Sequence, residues 1–150
     1  MNEKEPRHAE LVRILLVEDN PGDIRLTTEL FREAKLINPI ELSKDGEDAL
    51  ARLRREGEHA GKPLPDLVLL DLGLPKKKGG VLLAEMREDP DLKHIPVVVL
   101  TASKDDGDII KTHKLHANSY VVKPMDIDGI VEAVRSIDEF FLSIVRRTQP

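Results

Sequence analysis

Apolar residues in this chain come in two alternating patterns. Short runs without polar interruption recur: "VRILLVED" (Val12 to Asp19), "LVLL" (Leu67 to Leu70) and "IPVVVLTAS" (Ile95 to Ser103). Such runs, rich in branched side chains, predict strands buried on both faces. Two weaker runs, "IELSKDG" and "NSYVVKP" (Asn118 to Pro124), predict a second and a fifth strand. Between the runs, apolar residues return every three or four positions, as one face of a helix requires. Ile24, Thr27, Leu30, Phe31 and Ala34 define the first helix, opened by the turn residues "NPGD" (Asn20 to Asp23) and broken at Asn38-Pro39. Leu50 and Leu53 point inward from a second, about Glu47 to Arg55, and Leu82, Leu83 and Met86 from a third, about Gly80 to Glu88. "KDDGDIIKTHKLHA" predicts a fourth with a weak start, because Gly107 and few apolar residues lower its propensity. A long fifth opens at Asp126 and carries the stripe Ile127, Ile130, Val131, Val134, Ile137, Phe141 and Ile144. "EGEHAGKPLP" (Glu56 to Pro65) is a Gly/Pro connection.

Strand and helix alternate five times, and a parallel sheet covered by helices on both sides accounts for that order. Right-handed crossovers narrow the choice to an α/β doubly wound sandwich, with the flavodoxin-like strand order 2-1-3-4-5 and five helices. Residues 1–10 read as a flexible N-terminal tail, 11–146 as one domain and 147–150 as a C-terminal tail.

Composition removes whole classes of function. The chain has 150 residues, 40% hydrophobic and 34% charged, which suits one soluble globular domain. A net charge of −5 gives no general attraction to nucleic acid or anionic lipid. The absence of cysteine excludes disulfides, thiolate metal sites and thiol chemistry. No apolar run approaches a membrane span, and "MNEKEPRHAEL" lacks a signal-peptide core, so a cytoplasmic location is expected.

In a doubly wound sheet, ligands bind where the carboxyl ends of the strands open. Strand one ends in Glu18-Asp19, strand three in Asp71, strand four in Thr101 and strand five in Lys123-Pro124. Carboxylates about 5 Å apart repel by roughly 3 kcal/mol at an effective dielectric of 20, so such a cluster raises its pKa values or holds a cation. With only a few oxygen ligands, a Mg²⁺ that keeps several waters fits best. Three carboxylates, a divalent ion and Lys123 sum to zero charge. A phosphoryl group on Asp71 then leaves about one unit of negative charge, which the metal and lysine are placed to offset. This is the equipment of phosphoryl transfer.

"ILLVEDNPGD", "LVLLDLGLP", "VVVLTAS" and "YVVKP" resemble the receiver domain of bacterial two-component response regulators, over about Val12 to Phe141. The resemblance implies that Asp71 is the phosphoacceptor, taking its group from a phosphohistidine on a sensor histidine kinase. It implies that Glu18, Asp19 and Asp71 hold Mg²⁺ together with the backbone carbonyl of Gly73. Thr101 would turn toward the phosphoryl group, Lys123 would contact it, and Tyr120 would swing inward as the switch aromatic. Pro124 would follow a cis bond. The Glu56 to Pro65 connection, the "GLPKKKGG" loop and "IDEFFLSIVRR" are similar to a single-domain subgroup paired with phytochrome-type kinases. Gly73 stands where relatives often carry a side chain, and Lys78 where many have an Asp.

Simpler roles compete at several positions. Glu18 and Asp19 alone would read as a helix-capping pair, and Thr101 alone as a strand end satisfying its own backbone. Lys76, Lys77 and Lys78 read as a solvated loop, and Tyr120 suits edge packing as well as switching. His113 and His116 lack a carboxylate or cysteine partner, so no metal is expected there. Phe140 and Phe141 cannot both face the core, which points to a homodimer through the fourth and fifth helices and fifth strand. The expectation is a receiver without an effector, signalling through protein contacts. Its rivals are a receiver-like interaction module and an aspartyl-phosphate phosphatase; the latter usually needs a second acid at the position of Gly73.

Overall fold

The structure, a computed structural model, describes residues 9–11, 13–33, 38–74, 76–102, 117–135 and 145–147. In chain order the elements are β1 (Ala9–Leu11), β2 (Ile14–Val17), α1 (Pro21–Glu33), β3 (Ile40–Ser43), α2 (Gly46–Leu53), β4 (Leu67–Asp71), α3 (Gly79–Glu88), β5 (Val97–Thr101), β6 (Ser119–Val122), α4 (Ile127–Arg135) and β7 (Val145–Arg147). The predicted fourth helix lies outside the described residues, as do His113, His116, Phe140, Phe141 and the second half of the apolar stripe that begins in α4.

Five strands form one parallel sheet in the order β3-β2-β4-β5-β6. Counted from its own first strand, that is the expected order 2-1-3-4-5. Side chains alternate between the two faces of each strand. Ile14, Leu16, Leu67, Leu69, Val98 and Leu100 face one side, where Leu30 and Phe31 of α1 and Ile130 and Ala133 of α4 cover them. Leu15, Val17, Val68, Leu70, Val97 and Val99 face the other, against Ala49 and Leu53 of α2 and Leu82, Leu83 and Met86 of α3. Both faces of the central strands are therefore sealed, which explains why their sequences lack polar alternation. Each fully buried aliphatic side chain adds about 1.5–3 kcal/mol to this packing.

Three details go beyond the hydrophobic pattern. β1 and β7 pair antiparallel, with Glu10 opposite Arg146, so segments from the two ends of the chain close a separate ribbon. The Glu56 to Pro65 connection contains a 3₁₀ turn, Gly57–His59, whose His59 is buried. Arg52 is also buried: its Nε donates to both oxygens of Glu41, at 2.8 and 2.9 Å, and its Nη2 to the Pro63 carbonyl. A charged side chain thus ties α2 to β3 and to the connection that follows it.

Candidate functional site

Strand register builds the site. Val17 of β2 pairs with Leu70 of β4, so the next residue on each strand, Glu18 and Asp71, stands at one level. On the other side of β4, Asp71 pairs with Leu100 and Thr101 ends β5 one residue further on. Thr101 pairs with Val122, and the Lys123 N–H donates to the Thr101 carbonyl at 2.8 Å. The carboxyl edge therefore carries Glu18, Asp71, Thr101 and Lys123 side by side.

The side chains converge. One oxygen from each of Glu18, Asp19 and Asp71 lies within 4.8 Å of the others. Glu18, Asp71 and Thr101 are buried, while Asp19 is exposed. Two of the acids thus sit at the floor and the third opens to water. Lys123 Nζ donates to Asp23 Oδ2 at 2.9 Å and to Glu18 Oε1 at 3.1 Å, and lies 3.4 Å from Asp71 Oδ1. The Lys123–Pro124 bond is cis. Backbone groups complete the cradle: Gly73 N–H donates to Asp71 Oδ1 at 3.2 Å and Asn20 N–H to Glu18 Oε2 at 3.3 Å.

Electrostatics follow from this crowding. Burial, then the Asp71 charge, pushes the Glu18 carboxyl up from 4.5 to about 7, against the pull of Lys123. Burial draws the Lys123 ammonium down, but the hydrogen bonds to Asp23 and Glu18 and the Glu18 and Asp71 charges outweigh it, so its pKa is raised. Two carboxylates at the cluster's separation repel by about 3 kcal/mol at an effective dielectric of 20. The donor set is all oxygen and open on the Asp19 side, and it fits a hard divalent cation that retains water.

The loop after Asp71 is fixed by close packing. A Cβ on Gly79, the first residue of α3, would overlap the Asp71 carbonyl and come within 2.8 Å of Leu72 Cα. A Cβ on Gly46, the first of α2, would overlap the Lys77 carbonyl. Only glycine lets the two helix starts press on this loop. Gly73 differs, since a Cβ there would meet Asp71 Oδ1 at an ordinary 3.9 Å. Among the three lysines, Lys77 pairs with Glu85 at 2.9 Å and Lys76 with Asp45 at 3.7 Å. Lys77 and Lys76 therefore brace the loop in addition to wetting its surface.

Tyr120 is half-buried on β6, beside an open cavity of about 430 Å³ that Val122, Pro124 and Asp126 also line. Asp23 is the site residue that the sequence reading missed. It looked like an ordinary helix-start acid, and only the fold brings Lys123 to it. A second cluster, Asp48, Glu58 and His59, also groups three possible ligands. There Lys62 Nζ lies 3.4 Å from His59 Nδ1, and the group serves as a polar clasp on the 3₁₀ turn.

Comparisons with known proteins cover most of the chain. The family model described as the response regulator receiver domain matches residues 14–135. Response regulator Rcp1 of Synechocystis sp. is 42% identical over 132 residues, spanning 88% of this chain and 90% of its own length. The solved structure of the phosphorylated cyanobacterial phytochrome response regulator RcpA superposes with a TM-score of 0.74 at 43% identity, over 93% of this chain and 99% of that one. The Mn²⁺-bound form of Rcp1 gives a TM-score of 0.73 at 40% identity, over 92% and 99%.

Proposed function

Because this chain belongs to the response regulator receiver family, we propose that Asp71 is its phosphoacceptor and that the cluster around it runs the transfer. The donor is the phosphohistidine of a sensor histidine kinase. A phosphorus–oxygen bond to Asp71 forms as the phosphorus–nitrogen bond breaks, and the imidazole takes back its electron pair. Glu18, Asp19, Asp71 and the Gly73 carbonyl hold a Mg²⁺ ion, which supplies neutralising charge to the phosphoryl oxygens. Lys123, which reaches Glu18 and Asp71, supplies the remaining positive charge. In this reading the protein transfers a group to itself and turns over no external substrate beyond slow loss of that group.

Thr101 then donates its hydroxyl to the phosphoryl group, and Tyr120 turns toward the space that Thr101 vacates. The surface of β6 and the helices flanking it carries the output to a protein partner, with a second copy of the chain as the simplest one. Relatives named for phytochromes make a phytochrome-type kinase the favoured partner. No helix among the described residues is long and apolar enough to cross a membrane, and a cytoplasmic location suits exchange with such a kinase.

The observation that carries this reading is the meeting of Lys123 Nζ with Glu18 and Asp71, three residues from three separate strand ends. Borohydride reduction of protein treated with acetyl phosphate tests it. Homoserine at position 71, and at no other aspartate, is expected; homoserine elsewhere contradicts the assignment.

A further inference from the structure

Lys123 carries three N–H donors, and three carboxylate oxygens lie around them. The contact to Asp23 is the shortest, at 2.9 Å, and the contact to Asp71 the longest, at 3.4 Å. The backbone of Asp23 is held on both sides. Its N–H donates to Asn20 Oδ1 at 2.9 Å, and its carbonyl accepts from Thr27 Oγ1 at 2.8 Å. The same Thr27 hydroxyl touches Met125 Sδ at 3.7 Å, two residues beyond Lys123. The first turn of α1 thus touches the Lys123–Met125 loop at a second point, and Asp23 faces the ammonium from the start of that turn.

Asp23 is not among the three acids that share a possible cation position. A bound cation engages Glu18, so Asp23 is the carboxylate left to compete with a phosphoryl group for Lys123. We infer that Asp23 is a positioning residue that holds back the Lys123 ammonium and so shortens the life of the phosphorylated state. The inference rests on the Asp71 reading above. Removing the Asp23 charge leaves Lys123 free to turn its donors to the phosphoryl oxygens, and removes a negative charge from their neighbourhood. Loss of the group is hydrolysis. Water adds to phosphorus, the bond to the Asp71 oxygen breaks with its pair returning to the carboxylate, and dihydrogen phosphate leaves.

The test compares wild type with Asp23→Asn, Asp23→Ser and Asp23→Glu in the full chain at saturating Mg²⁺. Two quantities are read: the half-life of the acyl phosphate by intact mass, and the affinity for beryllofluoride. For Asn and Ser the half-life should lengthen and the affinity tighten by about three- to fivefold, the range of a part-exposed charge pair. Glu, which restores the charge, should return both toward wild type. A purely structural role at the start of α1 would lower the melting temperature without prolonging the phosphorylated state. Unchanged or shortened half-lives in Asn and Ser, with wild type phosphorylating normally, overturn the inference alone. A wild-type protein that takes up no phosphoryl group contradicts the Asp71 reading itself, and this inference with it.

Discussion

Glu18 and Asp71 stand side by side because β2 and β4 run in register, Val17 opposite Leu70, and an acid comes next on each. Both carboxyl groups are buried, so the sheet imposes a repulsion that neither side chain can escape by turning into solvent. A proton on Glu18, the ammonium of Lys123 or a divalent ion can relieve it. The chemistry of the site follows from this forced neighbourhood.

Competition between proton and cation gives a pH dependence. The Glu18 pKa is raised from 4.5 to about 7 in the folded protein without metal. Between those values the folded state binds more proton than the unfolded state, so stability falls as pH rises. The contribution is fully present below pH 4.5 and is lost as pH passes about 7. Mg²⁺ needs the ionised carboxylate, so its affinity should rise over the same window. Thermal melts with and without Mg²⁺ should show a larger Mg²⁺-induced increase at pH 8 than at pH 5.5. An equal increase at both would mean that Glu18 does not contact the ion.

Gly79 supports Asp71 from behind. In Gly79→Ala the new methyl group would strike the Asp71 carbonyl and the Leu72 backbone, and backbone gives way less readily than a side chain. A loss of about 1–3 kcal/mol is expected, which lowers the melting temperature by roughly 2–4 °C per kcal/mol. Phosphorylation by acetyl phosphate should slow as Asp71 shifts. A variant that melts and reacts like wild type would mean that the loop relaxes freely.

Gly73 should behave in the opposite way, although it lies even nearer the Asp71 carboxyl. The open space at its Cβ position admits a side chain, so Gly73→Ala should melt close to wild type. The added group narrows the approach of water to Asp71, and the acyl phosphate should last longer. Intact-mass time courses after removal of acetyl phosphate would measure this. A shorter lifetime would show that water reaches phosphorus by another path.

The legible parts of this protein are those that burial writes into consecutive residues. Leu67 to Leu70 and Val97 to Leu100 are sealed on both faces, so their unbroken apolar letters announce a central parallel sheet. Glu18, Asp71 and Thr101 follow directly, because each comes at the end of such a run, and Lys123 ends the weaker, part-buried run of β6. Asp23 was not legible: its partner is 100 residues away, and "NPGD" reads equally well as plain helix-start chemistry. The β1–β7 ribbon was missed because three-residue strands carry no period. Arg52 was missed because its burial depends on Glu41 and the Pro63 carbonyl, which no hydrophobic pattern encodes.

Mass spectrometry of the intact protein after acetyl phosphate, with and without Mg²⁺, bears most directly on the role of Asp71. Wild type should gain one phosphoryl group, only when Mg²⁺ is present, and Asp71→Asn should gain none. A wild-type protein that stays unmodified with Mg²⁺, or an Asp71→Asn variant that is modified as readily as wild type, would contradict it.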